Sequence, residues 1–129
     1  MIVTHQYDHS TPSSATFTVP IYNVEVTLSV SDELPQVTKG WPSKEDKEFF
    51  EESDAATFLN RAKVLVAFHR GIVMHEVIAH ELFHVTHHIL NRAGIRLTKR
   101  NDEAHAYLAG FLAKEAYRII KHITKERIK

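Results

Sequence analysis

His75–Leu90 reads HEVIAHELFHVTHHIL, and inside it His80-Glu81-Leu82-Phe83-His84 is the only HExxH of the chain. From Ile72 to Arg92 the apolar residues Val73, Val77, Ile78, Leu82, Phe83, Val85, Ile89 and Leu90 recur at helical spacing. No Pro or Gly interrupts the run, and Gly94 stands just past its end, where a helix commonly stops. The pattern predicts one long, mostly buried helix carrying both histidines. Side chains four apart on a helix share a face. His80 and His84 can then reach one zinc ion, with Glu81 directed at the metal's open side as a base.

Chance sets the weight of the motif. The histidine and glutamate content gives roughly a 6% probability of one accidental match over all windows. The competing reading is a histidine-rich helix with solvated side chains. The buried setting of the run favours zinc over that reading.

The 129 residues suit one domain with a single core. Apolar residues make up 43% and charged ones 25%, as in ordinary globular chains. Sixteen basic residues balance sixteen acidic ones, so no net field draws the chain to nucleic acid or to an anionic membrane. Cysteine is absent, which excludes disulfides, thiolate catalysis and Cys-ligated zinc. The start, MIVTHQYDHS, has neither a basic cluster nor an apolar stretch, so no secretory signal is read there and the cytoplasm is the expected compartment.

Residues 1–14 read as an irregular lead-in, with His5 and His9 in solvent. Val24, Val26, Leu28 and Val30 alternate with polar residues as in a half-buried strand, and Thr16–Val19 is a shorter strand set off by Pro20. After a loop over 32–40, Ser43 with Asp46 three residues on predicts a capped short helix through Glu51, with Phe49 and Phe50 as its buried face and Trp41 packed beneath. Asp54 predicts a further helical turn or two through Arg61. Val64–Phe68 (VLVAF) reads as a buried strand. Asn101 then opens a second long helix whose apolar residues are Ala104, Tyr107, Leu108, Phe111, Leu112, Ala116, Ile119, Ile120 and Ile123. The expected fold is α+β, a small antiparallel or mixed sheet packed on two long antiparallel helices.

A catalytic zinc takes three protein ligands. Glu103 lies in the first turn of the second helix, and the short connection after Gly94 turns that helix back beside the first. Ala106 and Gly110 fall on the same side and permit close approach. The other reading of Glu103 is an ordinary acid at a helix N-terminus. His88 is a rival ligand, but three turns of a straight helix set it roughly 12 Å from His80 along the axis. His87 points elsewhere.

The segments MHEVIAHELFHVTHHIL and NDEAHAYLAGFLAKEAY resemble zincin-type metallopeptidases of the gluzincin arrangement, HExxH followed by a Glu on a later helix. The likeness covers 72 to about 117 and is similar above all to small zincin-like proteins of phage and prophage genomes. It implies a zincin-like fold with zinc held by His80, His84 and Glu103, and Glu81 as general base. It also implies a sheet edge beside the helix that takes an extended peptide, Val64–Phe68 or Val24–Val30 being the segments considered. Tyr107 stands where many gluzincins place an Asp that orients a ligand histidine; Asp102, Tyr107 or a backbone carbonyl would take that role. Tyr107, His105, His75 and His88 are the candidate oxyanion donors. The expected function is a zinc-dependent hydrolase of peptide or protein substrates, without nucleic-acid or membrane partners and, if phage-encoded, in the host cytoplasm. The alternative is a non-catalytic phage or regulatory binding module on the same scaffold.

Overall fold

Two hairpins and a crossover build the sheet. The computed structural model describes residues 3–8 and 13–129, with β1 (Gln6–Asp8), β2 (Ser14–Val19), β3 (Val24–Val30), α1 (Lys44–Glu51), β4 (Ala55–Asn60), β5 (Lys63–Phe68), α2 (His75–Arg92) and α3 (Asp102–Thr124). The sheet is five-stranded and mixed, in the order β1-β2-β3-β5-β4. β2 and β3 pair antiparallel with Phe17 opposite Val26, β4 and β5 antiparallel with Thr57 opposite Val66, and β3 and β5 parallel with Val26 beside Val64.

The side-chain period of two sorts these strands into two faces. Phe17, Val26, Leu28, Val64, Val66 and Phe68 point to one face and pack under α2 and α3. Leu65, Ala67, Ala56 and Phe58 point to the other, where Leu34 and Phe50 cover them and Trp41 packs alongside. β5 is therefore buried on both faces, which is why VLVAF reads as an unbroken apolar run. Each large side chain removed from water in this way contributes about 1.5–3 kcal/mol.

The helices end where their sequences say. Ser43 accepts from the Asp46 N–H at 3.1 Å while the Asp46 carboxylate accepts from the Ser43 N–H at 2.9 Å, a reciprocal cap for α1. α2 has no side-chain cap at Met74; the Lys129 carbonyl accepts its first N–H, from His75, at 2.9 Å. At its other end Gly94 takes φ 77°, and the N–H groups of Gly94 and Ile95 return to the carbonyls of Asn91 and Leu90. Only glycine adopts that turn without steric cost.

Several expectations need correction. Residues 55–60 form β4, an antiparallel edge strand, and not a helical turn. Within the lead-in, Gln6–Asp8 form β1, which pairs with β2 through Gln6–Thr16. His5 is partly buried, with Nε2 2.6 Å from Glu115 Oε2 on α3, while His9 lies outside the described residues. Phe49 and Tyr107 are exposed, at 62% and 76%. On α1 Phe50 is the buried aromatic, and α3 buries His105 and Glu115 among its apolar residues. Neither Val64–Phe68 nor Val24–Val30 is an edge: β3 and β5 are interior strands.

Candidate functional site: the HExxH helix at the sheet edge

α2 is oriented by Ile78, Leu82, Val85 and Ile89, all sunk into the core. Helical geometry then puts His80 and His84 on the opposite, open side. Both are exposed, the His80 side chain at 68%, and their rings stand edge to face with centroids 5.1 Å apart. Glu81 falls on the flank between those two sides and is only 6% exposed.

What covers Glu81 is β4. The Thr57 hydroxyl donates to Glu81 Oε1 at 2.8 Å and lies 3.3 Å from the Glu81 backbone carbonyl. The second carboxylate oxygen, Oε2, stands 3.8 Å from His80 Nε2. One oxygen is thus held by the edge strand and the other lies toward His80. The sequence does not point to Thr57, because Asp54 and the residues through Arg61 predict helical turns there. Its signal is the alternation Ala56, Phe58 against Ala55, Thr57, weak because only one of those side chains is large.

The other nominated residues have separate placements. His75 shares a 2.7 Å hydrogen bond with Tyr117, and His88 Nε2 one of 2.8 Å with the Arg61 carbonyl. His87 stacks on Phe83 at the surface. Asp102, Glu103 and Tyr107 are exposed on the first turns of α3. His105 is turned inward between α2 and α3, with Nδ1 3.3 Å from the Asn101 carbonyl. Ala106 and Gly110 do line the cleft toward α2.

Two imidazoles on successive turns beside a carboxylate are donors of the type zinc takes. The pair supplies two ligands of the usual three. Among the described residues no three His, Asp or Glu side chains are gathered as a metal-holding group, so Glu103 is not drawn up to His80 and His84 in this arrangement. Among the same residues no helix is long and apolar enough to cross a membrane. Comparison with protein-family models, with curated proteins and with solved structures finds no match to this chain.

Proposed function

We propose that the chain is a zinc-dependent hydrolase acting on peptide bonds, on a zincin-like scaffold in which α2 and α3 run antiparallel. The observation that carries this reading is the seat of Glu81. Its carboxylate is buried and fixed by Thr57 while both neighbouring histidines stay open to solvent. A metal site with only a structural role has no need of a base held in this way.

His80 and His84 would hold zinc, with Glu103 as third ligand brought up from the exposed first turn of α3. Zinc, when bound, supplies a Lewis acid and acidifies water at neutral pH. Glu81 Oε2, the oxygen not engaged by Thr57, takes the proton of the attacking water and returns it to the leaving amine. β4 pairs on one side only among the described residues. Its outer edge can add an extended peptide as a further strand, which would lay a scissile bond along the Glu81 side of α2.

A non-catalytic binding module on the same scaffold is the second reading, and the ungathered third ligand favours it. Metal analysis of untagged protein, with a peptide-library digest by wild type and Glu81→Gln, separates the two. The hydrolase reading requires bound zinc and cleavage that falls on the order of several hundred-fold in Glu81→Gln. Equal digestion by both proteins, or none by either, removes it.

A further inference from the structure

Beyond the carboxyl ends of β3 and β5 lies a second feature, apart from the histidine pair. The two strands run parallel and finish side by side at Val30 and Phe68. Gly71, at φ 81°, turns the chain out of β5 and leaves Arg70 at the rim. The tail after α3 comes back to the same place. Lys125 ends that helix in the left-handed conformation, Ile128 packs against the core, and the Lys129 carbonyl accepts the His75 N–H at 2.9 Å. Between turn and tail is a cavity of about 320 Å³, open on one side. That volume is at the lower end of small-molecule pockets, roughly 300–1,000 Å³. The space beyond the carboxyl ends of parallel strands is also where α/β sheets receive ligands.

The walls carry two kinds of surface. Val73, Ile123 and Ile128 are only partly buried and present apolar area to the cavity. Arg70, Arg127 and Lys129 stand around them, all exposed. Among the described residues none of these three side chains has an ion pair or a hydrogen bond. Glu126, the one acid on the walls, pairs with none of them. Three cations thus face one carboxylate, and no side chain of the walls offsets the excess. A guanidinium is a planar fork that fits the oxygens of a carboxylate or phosphate two at a time.

We propose that this cavity binds a small organic anion, its apolar body on Val73, Ile123 and Ile128 and its carboxylate or phosphate paired with Arg70 and Arg127. Lys129 adds charge beside them. A neutral apolar guest would leave the cations unused, and a bare inorganic ion would leave the apolar floor in water. The proposal does not depend on the hydrolytic reading, since neither Thr57 nor any of His80, Glu81, His84 and Glu103 lines the cavity.

Calorimetric titration of the whole chain with phenyl phosphate, benzoate, benzyl alcohol and inorganic phosphate tests it. Saturable binding of an aromatic anion is expected, at least about ten-fold tighter than of benzyl alcohol, which lacks the charge, or of inorganic phosphate, which lacks the ring. The tighter of phenyl phosphate and benzoate identifies the head group. Arg70→Gln and Arg127→Gln should each weaken that anion about ten-fold. Both side chains are exposed and unpaired, so neither change should cost the fold. Arg100→Gln, on the loop between α2 and α3, is the control and should bind as wild type does. Amide shifts of Gly71 and Ile128 on adding the anion locate the site without any variant. No binding of either aromatic anion, equally tight binding of benzyl alcohol or inorganic phosphate, unchanged affinity in both cavity variants, or an equal loss in Arg100→Gln overturns the proposal.

Discussion

Thr57 on the edge strand donates to the Glu81 carboxylate at 2.8 Å, so the residue that would act as base is held by an element other than its own helix. Thr57→Val removes that donor and leaves a buried carboxylate oxygen without it, at a cost of about 1–3 kcal/mol. Thr57→Ser keeps the hydroxyl and should retain most of the stability. In a Glu81→Gln background the Thr57→Val cost should shrink, because a neutral amide is cheaper to strand. Denaturant titration of the five proteins checks this; equal losses in both backgrounds would show that the hydroxyl acts elsewhere.

Zinc and folding should be linked if His80, His84 and Glu103 share an ion. Free zinc at 100 times its dissociation constant should add about 2.7 kcal/mol to stability, and a chelator should take it away. Glu103→Ala should weaken zinc binding strongly, whereas Asp102→Ala and His88→Ala should weaken it little. Asp102 lies about 100° round the helix from Glu103, and His88 is bonded to the Arg61 carbonyl. Competition titration against a zinc indicator ranks the three, and an unaltered affinity in Glu103→Ala removes Glu103 from the ligand set.

Tyr7 should ionise above the ordinary tyrosine range. Burial raises its pKa from the ordinary value near 10, and the negative charge of Glu115 raises it further. The folded state thus keeps the phenol proton to higher pH than the unfolded chain does. The stability that follows is intact below about pH 10 and lost as pH climbs through the raised folded value. Ultraviolet titration of wild type against Tyr7→Phe isolates this step. Glu115→Gln should bring it back toward the ordinary range, and a step that does not move would show that the charge plays no part.

Ile21, at the tip of the β2–β3 hairpin, has φ 71° and is 84% exposed. A β-branched residue in that left-handed region is strained by roughly 1–2 kcal/mol. Ile21→Gly relieves the strain but enlarges the freedom of the unfolded chain, so a net gain of about 0.5–1 kcal/mol is expected. Thermal melts give the answer, and a lowered Tm would mean that the isoleucine packs usefully at the tip.

The parts of the fold that announce themselves in the sequence are those with a sustained apolar periodicity or an unbroken apolar run. Val24–Val30, VLVAF and the 75–92 helix are of that type. β4 is not, because Asp54 mimics a helix cap and only Phe58 is a large buried side chain there. Its strand state comes from pairing with β5, a tertiary effect. On α3, Tyr107 falls within the apolar arc but beyond what α2 covers. Glu115 is the reverse case, a charge flanked by buried Leu112 and Ala116, and its partner His5 lies 110 residues away. A charged residue set among core positions is a legible sign of a polar contact inside the fold; its partner's identity is not. At the site, HExxH spacing identified the helix and the shared face of its two histidines, whereas their exposure, the Thr57 seat and the inward turn of His105 depend on contacts between elements.

The parallel pairing of β3 with β5 also fixes an order of events during synthesis. A tight turn cannot join parallel strands, so α1 and β4 must lie between them. The β2–β3 hairpin therefore leaves the ribosome with one long, apolar edge bare until Lys63–Phe68 follows. An unpaired edge of that kind is a template for another chain. His80, Glu81 and His84 all lie on the later side of that gap, and Thr57 precedes the strand that closes it. A slowed ribosome or a truncation shortly before Lys63 would leave an aggregation-prone fragment that holds Thr57 without the carboxylate it seats.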